Sequence, residues 1–182
     1  MNLVMISGGV RSGKSAYAEK RARERSEAGS SSVLYVATGL RFDEEMDERI
    51  DRHRSRRPES WHTLECPHEL SASAYDGFDI VLVDTLSAWI ANRLMALPED
   101  RCRDRETTER ILAQVDAYLE ELGSSPLREA IVVTDEVGWG GVAMSPLGRW
   151  FQDVVGEANQ RLAERADEAI AVISGLPWRL KG

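Results

Sequence analysis

An apolar run, Leu3-Val4-Met5-Ile6, leads into Gly8-Gly9-Val10-Arg11-Ser12-Gly13-Lys14-Ser15, and that junction limits the possible folds more than any other stretch. The pattern is glycine, four free positions, glycine, lysine, then serine or threonine, the spacing of a phosphate-binding loop between a strand and a helix. Gly8 and Gly13 supply backbone freedom that a side chain would remove, so successive N–H groups can curl around a phosphate chain. A helix opening near Lys14 points the positive end of its dipole at the same place. In such a loop Lys14 would reach the β- and γ-phosphates and the Ser15 hydroxyl would bind Mg²⁺. A dinucleotide loop of the Gly-x-Gly-x-x-Gly type is excluded, since the residue two after Gly8 is Val10 and the residue two after Gly9 is Arg11.

A strand that ends in this loop belongs in a parallel sheet, and the rest of the chain supplies the other strands. The first helix is predicted to run to about Ala28, with Gly29 to Ser32 as a flexible connection. Val33 to Ala37, Ile80 to Val83, Ile131 to Val133 and Ala169 to Ile173 are short, nearly continuous apolar runs, as expected of strands buried on both faces. Trp61 to Cys66 reads as a further short strand. Amphipathic helices are predicted between them. One carries Leu86, Trp89, Ile90, Leu94 and Leu97, the next Ile111, Val115, Tyr118, Leu119 and Leu122. The last is capped by Ser145 with Pro146 in its first turn, and carries Leu147, Trp150, Phe151, Val154, Val155, Ala158 and Leu162. Gly175-Leu176-Pro177 reads as the exit from the final strand. Alternation of this kind predicts one doubly wound α/β domain over residues 1–182, like that of P-loop NTPases, with a mostly parallel sheet flanked by helices.

A 182-residue chain can bury about 70% of its unfolded surface in one core. Its net charge of −8 argues against a broad nucleic-acid footprint. The two cysteines, Cys66 and Cys102, form no metal-ligand spacing and point to a reducing compartment. No run approaches the ~20 apolar residues of a membrane span, and nothing before Leu3 resembles the basic segment of a signal peptide. The expectation is a cytoplasmic protein.

Two strands end in acids, Asp84 and Asp135, and Asp135 is followed by Glu136. Either aspartate is placed to hold Mg²⁺, directly or through water, or simply to cap a following helix. Residues Asp43 to Arg57 begin acidic and end basic, which suits a solvated helix and its dipole. Met46, Ile50 and His53 fall on one stripe of that helix.

Taken in order, these stretches resemble the bifunctional adenosylcobinamide kinase/adenosylcobinamide-phosphate guanylyltransferases of cobalamin biosynthesis. The resemblance covers nearly the whole chain. It rests on the phosphate loop, Tyr35-Val36-Ala37-Thr38, Asp43-Glu44-Glu45-Met46 with Arg49-Ile50 and His53, Arg57-Pro58 with Trp61, and Leu82-Val83-Asp84. It continues through Trp89 with Asn92, Glu136-Val137-Gly138, Gly156 with Asn159-Gln160, and Ser174-Gly175-Leu176-Pro177. The resemblance implies transfer of a γ-phosphoryl group from ATP or GTP to the aminopropanol hydroxyl of adenosylcobinamide. Transfer of GMP from GTP to the new phosphate follows, through a phosphoramidate on His53. Implied nucleotide contacts are Ala37, Thr38, Gly39, Arg54, Ser55, Arg56, Arg57, Glu65 and Asp84, with Ser15 and Asp84 on the Mg²⁺ side. Glu65 can accept hydrogen bonds from guanine N1 and N2. Family members form homo-oligomers, typically trimers. This chain departs from the family at Arg52, where a histidine can stand, and at Asp135, commonly asparagine. Two other functions fit the loop alone: a kinase of another small alcohol, which needs no His53, and a GTP-binding regulatory module.

Overall fold

The computed structural model describes residues 1–40, 57–98 and 102–182. In chain order the described elements are β1 (Asn2–Gly8), α1 (Lys14–Gly29), β2 (Val33–Ala37), β3 (His62–Glu65), a 3₁₀ turn (Ala72–Tyr75), β4 (Ile80–Asp84) and α2 (Leu86–Met95). Then come α3 (Arg105–Ser124), β5 (Glu129–Asp135), α4 (Pro146–Arg165), β6 (Glu168–Ile173) and β7 (Leu176–Lys181). The strands form one sheet in the order β3-β2-β4-β5-β1-β6-β7, parallel except for β7, which pairs antiparallel with β6. The predicted helix over 43–57 lies outside the described residues apart from Arg57.

The apolar runs form central strands because alternate residues find cover on opposite faces. Val4, Ile6, Val33, Tyr35, Ile80, Leu82, Ile131, Val133, Ile170 and Val172 pack on Ala18 and Ala22 of α1. Their neighbours Leu3, Met5, Leu34, Val36, Val81, Val83, Ala130 and Val132 pack on α2, α3 and α4. The helices start where capping side chains satisfy free N–H groups. The Ala88 N–H donates to Thr85 Oγ1 (3.0 Å), that of Thr107 to Asp104 Oδ2 (2.9 Å) and that of Gly148 to Ser145 Oγ (3.0 Å). Neither strand-end acid is a cap, since Thr85 caps α2 and Asp135 enters a loop.

Two expectations need correction. Leu147 is 41% exposed at the start of α4, so the buried stripe begins at Trp150. Residues after Gly175 do not leave the sheet. Ser174 (φ 53°) and Gly175 (φ 83°) make a two-residue hairpin turn with both φ angles positive, and β7 follows. Pro177 is tolerated because β7 is the edge strand.

The strand edge remote from the phosphate loop is tied by a charge network. Arg21 of α1 donates to Glu129 Oε1 (2.9 Å) and Glu168 Oε1 (2.7 Å), and the Asn2 side-chain amide donates to both glutamates. Hydrogen bonding to Arg21, more than offsetting desolvation, holds the Glu168 carboxyl down at about 2. No helix among the described residues is long and apolar enough to cross a membrane.

Candidate active site

Parallel pairing gathers the strand ends at one edge. Register sets Gly8 beside Asp135, and Ala37 beside both Asp84 and Glu65. The loop from Gly9 to Gly13 closes over this edge. A Cβ on Gly8 would lie 2.5 Å from Ser12 Oγ and 2.6 Å from the Val172 carbonyl oxygen, so only glycine fits there. Gly13 adopts φ 95°, and its pro-Cβ position faces Gly175 Cα at 3.3 Å. The Gly175 N–H donates to Ser12 O (2.8 Å), so the β6–β7 turn braces the loop from outside.

At the start of α1, Lys14 is nearly buried. Its ammonium donates to Gly9 O (3.3 Å) and pairs with Asp135 Oδ1 at 2.6 Å. The other oxygen of Asp135 accepts from Ser87 Oγ at 2.5 Å. Ser15 donates instead to Asp84 Oδ1 (3.1 Å), whose Oδ2 accepts from Tyr35 Oη at 2.5 Å. The two acids that looked alike in sequence therefore have different partners: Asp84 stands with the loop serine and Asp135 with the loop lysine. Burial, then the charge of Asp84, push the Tyr35 phenol well above its ordinary value, so it remains a donor.

Thr38 and Gly39 follow β2 at this edge. Thr38 is fully buried, donating to Thr85 O (2.7 Å) and accepting from the Thr85 N–H (2.8 Å), whereas Gly39 is exposed. Glu65 is exposed at the end of β3. Val10 and Arg11 are exposed on the loop, and Arg11 takes a left-handed conformation (φ 56°). The Arg57 guanidinium stacks 3.3 Å from the centre of the Tyr35 ring and donates to Thr63 Oγ1 (3.3 Å). His53, Arg54, Ser55 and Arg56 lie outside the described residues.

Several residues without an assigned role hold this edge in shape. Asn92, 3% exposed, donates to Thr38 O (2.7 Å) and Pro67 O (2.9 Å). Asn159 accepts from Thr134 Oγ1 (2.7 Å) and donates to Asp135 O (3.0 Å). Both are polar residues on otherwise buried helix faces, a signal legible in the sequence. After β5, the loop 137–145 is held by Gln152, which donates to Val137 O and Gly141 O, each at 2.9 Å. It leaves Trp139, Val142 and Met144 65%, 81% and 96% exposed.

Ser15 and Asp84 present hard oxygen donors side by side, the set Mg²⁺ takes when phosphates and water complete its shell. No cluster of three or more His, Cys, Asp or Glu side chains able to hold a metal occurs among the described residues. Fold and loop together define a phosphate-loop nucleotide-binding α/β protein. Residues 4–180 match the family described as cobinamide kinase / cobinamide phosphate guanyltransferase. The chain belongs to this family, and its enzymes catalyse both reactions.

Among similar proteins, the bifunctional adenosylcobalamin biosynthesis protein CobP of Pseudomonas aeruginosa is 40% identical over 181 residues, covering 98% of this chain and 96% of the relative. The CobU proteins of Escherichia coli and Salmonella typhimurium, which carry the same description, are 35% and 32% identical, each over 98% of this chain and 99% of the relative. Among solved structures, the flagellar accessory protein FlaH of Methanocaldococcus jannaschii aligns with TM-score 0.49 at 14% identity, covering 99% of this chain and 78% of that one.

Proposed function

We propose that both family reactions use the one edge described above, with His53 as the carrier of GMP. The observation that carries this reading is the convergence of Lys14, Ser15 and Asp84 on the phosphate loop of a chain in this family. Loop N–H groups and Lys14 would cradle the triphosphate of ATP or GTP. Ser15 and Asp84 would hold Mg²⁺, which neutralises phosphate charge. In the kinase step the hydroxyl oxygen of adenosylcobinamide attacks the γ-phosphorus, the bond to the β-bridging oxygen breaks, and the hydroxyl proton passes to solvent. In the second step a neutral His53 nitrogen attacks the α-phosphorus of GTP and pyrophosphate leaves. The phosphate oxygen of adenosylcobinamide phosphate then attacks the same phosphorus, breaking the P–N bond. Arginines at 54, 56 and 57 would favour the neutral imidazole and attract the triphosphate. Ala37, Thr38, Gly39, Ser55 and Glu65 are assigned to the guanine nucleotide, with Glu65 on the base.

The acceptor would reach the loop past Trp139, Val142 and Met144, an apolar rim suited to a large macrocycle. The open face of β7, with Leu176, Trp178 and Leu180 exposed, supports a homo-oligomer, for which we propose the trimer. Two cysteines far apart in sequence, Cys66 and Cys102, both free, support a cytoplasmic location.

The deciding experiment is intact mass after incubation with Mg²⁺ and GTP, for the parent chain and a His53→Ala variant. A GMP-sized increment confined to the parent is expected. An increment on both assigns the nucleophile elsewhere, and an increment on neither overturns covalent transfer.

A further inference from the structure

Tyr35 looks like core filling in the apolar run of β2, and by burial it is: 2% of its surface is exposed. Its hydroxyl nevertheless donates to a charged group, Asp84 Oδ2, at 2.5 Å. Register pairs Tyr35 with Leu82, so Asp84 lies two residues further along the neighbouring strand, on the same face and within reach of a long side chain. The other carboxylate oxygen, Oδ1, faces Ser15. On the far side, Arg57 covers the Tyr35 ring at 3.3 Å and reaches Thr63 of β3. A line of contacts thus crosses three adjacent strands, from Thr63 through Arg57 and Tyr35 to Asp84, and ends on the loop serine.

A carboxylate on the last residue of a strand turns freely about its terminal torsion unless something holds it. Tyr35 occupies one oxygen and leaves the other to Ser15. We propose that Tyr35 is a positioning residue, which fixes the rotation of Asp84 so that the oxygen beside Ser15 is presented to the metal of the bound nucleotide. Arg57 keeps the Tyr35 ring from tilting away. The proposal rests on the assignment of Ser15 and Asp84 to the metal side, and deepens it. Residues of this kind, one shell outside the ligands, commonly change metal affinity about 10- to 100-fold when removed.

The test compares wild type, Tyr35→Phe and Asp84→Ala by Mn²⁺ electron paramagnetic resonance with a non-hydrolysable GTP analogue, which reads metal affinity directly. Thermal unfolding and analogue binding without metal accompany it. Tyr35→Phe should weaken Mn²⁺ binding roughly tenfold, leave metal-free analogue binding unchanged, and raise the Mg²⁺ concentration for half-maximal kinase rate by a similar factor. If Asp84→Ala weakens Mn²⁺ binding and Tyr35→Phe does not, the positioning role is overturned while the metal assignment stands. A Tyr35→Phe protein that only unfolds earlier, with Mn²⁺ affinity intact, also overturns it. If neither variant changes Mn²⁺ affinity, the metal assignment itself fails.

Discussion

Replacing Asp135 by Asn tests what the buried lysine does before nucleotide arrives. Lys14 and Asp135 are 2.6 Å apart, with side chains 6% and 28% exposed, so the pair is shielded from water on the lysine side. An asparagine keeps an oxygen that can accept from Lys14 but loses the charge. The difference between a charge-assisted and an ordinary hydrogen bond at such a site is about 1–2 kcal/mol. If the ion pair must open for Lys14 to meet a phosphate, that energy is lost from the nucleotide-free protein alone. Asp135→Asn should then unfold about 2–8 °C earlier without ligand, at about 2–4 °C per kcal/mol for a domain of this size. It should also bind GTP about 5- to 30-fold more tightly, because the same energy no longer opposes binding. Calorimetric titration with GTP and Mg²⁺, together with unfolding scans, measures both quantities. Weaker GTP binding by the variant, with unliganded stability unchanged, would refute the reasoning and place Asp135 among the groups that help hold the bound nucleotide.

Other perturbations probe the frame and the rim. The folded-state value of Glu168, about 2, lies below its ordinary 4.5, so the stabilisation is present above pH 4.5 and is lost as pH falls toward 2. Allowing for the part of Glu168 that meets solvent, this amounts to about 2 kcal/mol. Arg21→Met should cost about 3 kcal/mol at pH 7 by denaturant titration, and the deficit should narrow below about pH 4.5 as the abandoned carboxylates protonate. A deficit independent of pH would show that the arginine acts by packing. Gly8→Ala should weaken GTP binding about 5- to 150-fold, since its methyl must displace both Ser12 and the Val172 carbonyl at a cost of about 1–3 kcal/mol, whereas Gly9→Ala, with nothing within 4 Å, should bind like the parent. Trp139→Ser should raise the KM for adenosylcobinamide about tenfold, through about 1.5 kcal/mol of lost apolar contact, with the KM for nucleotide unchanged in steady-state kinetics.

The phosphate loop, the buried strands and the caps at Ser145 and Thr85 are local in the chain, and local patterns are what a sequence displays. Of these, the Thr85 cap is masked by the acid before it, which is an equally good capping residue. The division of labour between Asp84 and Asp135 was not legible, because it depends on lateral strand order. β5 lies beside β1 and β4 one place further out, although β4 comes earlier in the chain. The Arg21 network joins residues more than 100 positions apart, and no spacing announces it. β7 was hidden by Pro177, a strand breaker everywhere except at an edge. Tyr35 was hidden by its neighbours: one polar atom at the tip of an aromatic ring does not disturb an apolar run. His53, which comes from the family resemblance, and Arg54 to Arg56 are assigned from sequence alone.

The pairing of β1 also bears on how the chain is made. The strand that delivers the phosphate loop is made before the other described strands, yet among the described residues its sheet neighbours are β5 and β6, more than 120 residues downstream. The turn that braces the loop, at Ser174 and Gly175, arrives later still. Until then Val4, Ile6 and the glycine-rich loop lack the strands they pair with, and a nascent chain that has already synthesised the loop has nothing to hold it in place. Closure of this sheet around β1 must wait for distant pairings, so it follows synthesis of β5 and β6 and leaves β1 exposed to misassembly in the interval. The phosphate loop is the earliest part of the site to be encoded and among the last to take its shape.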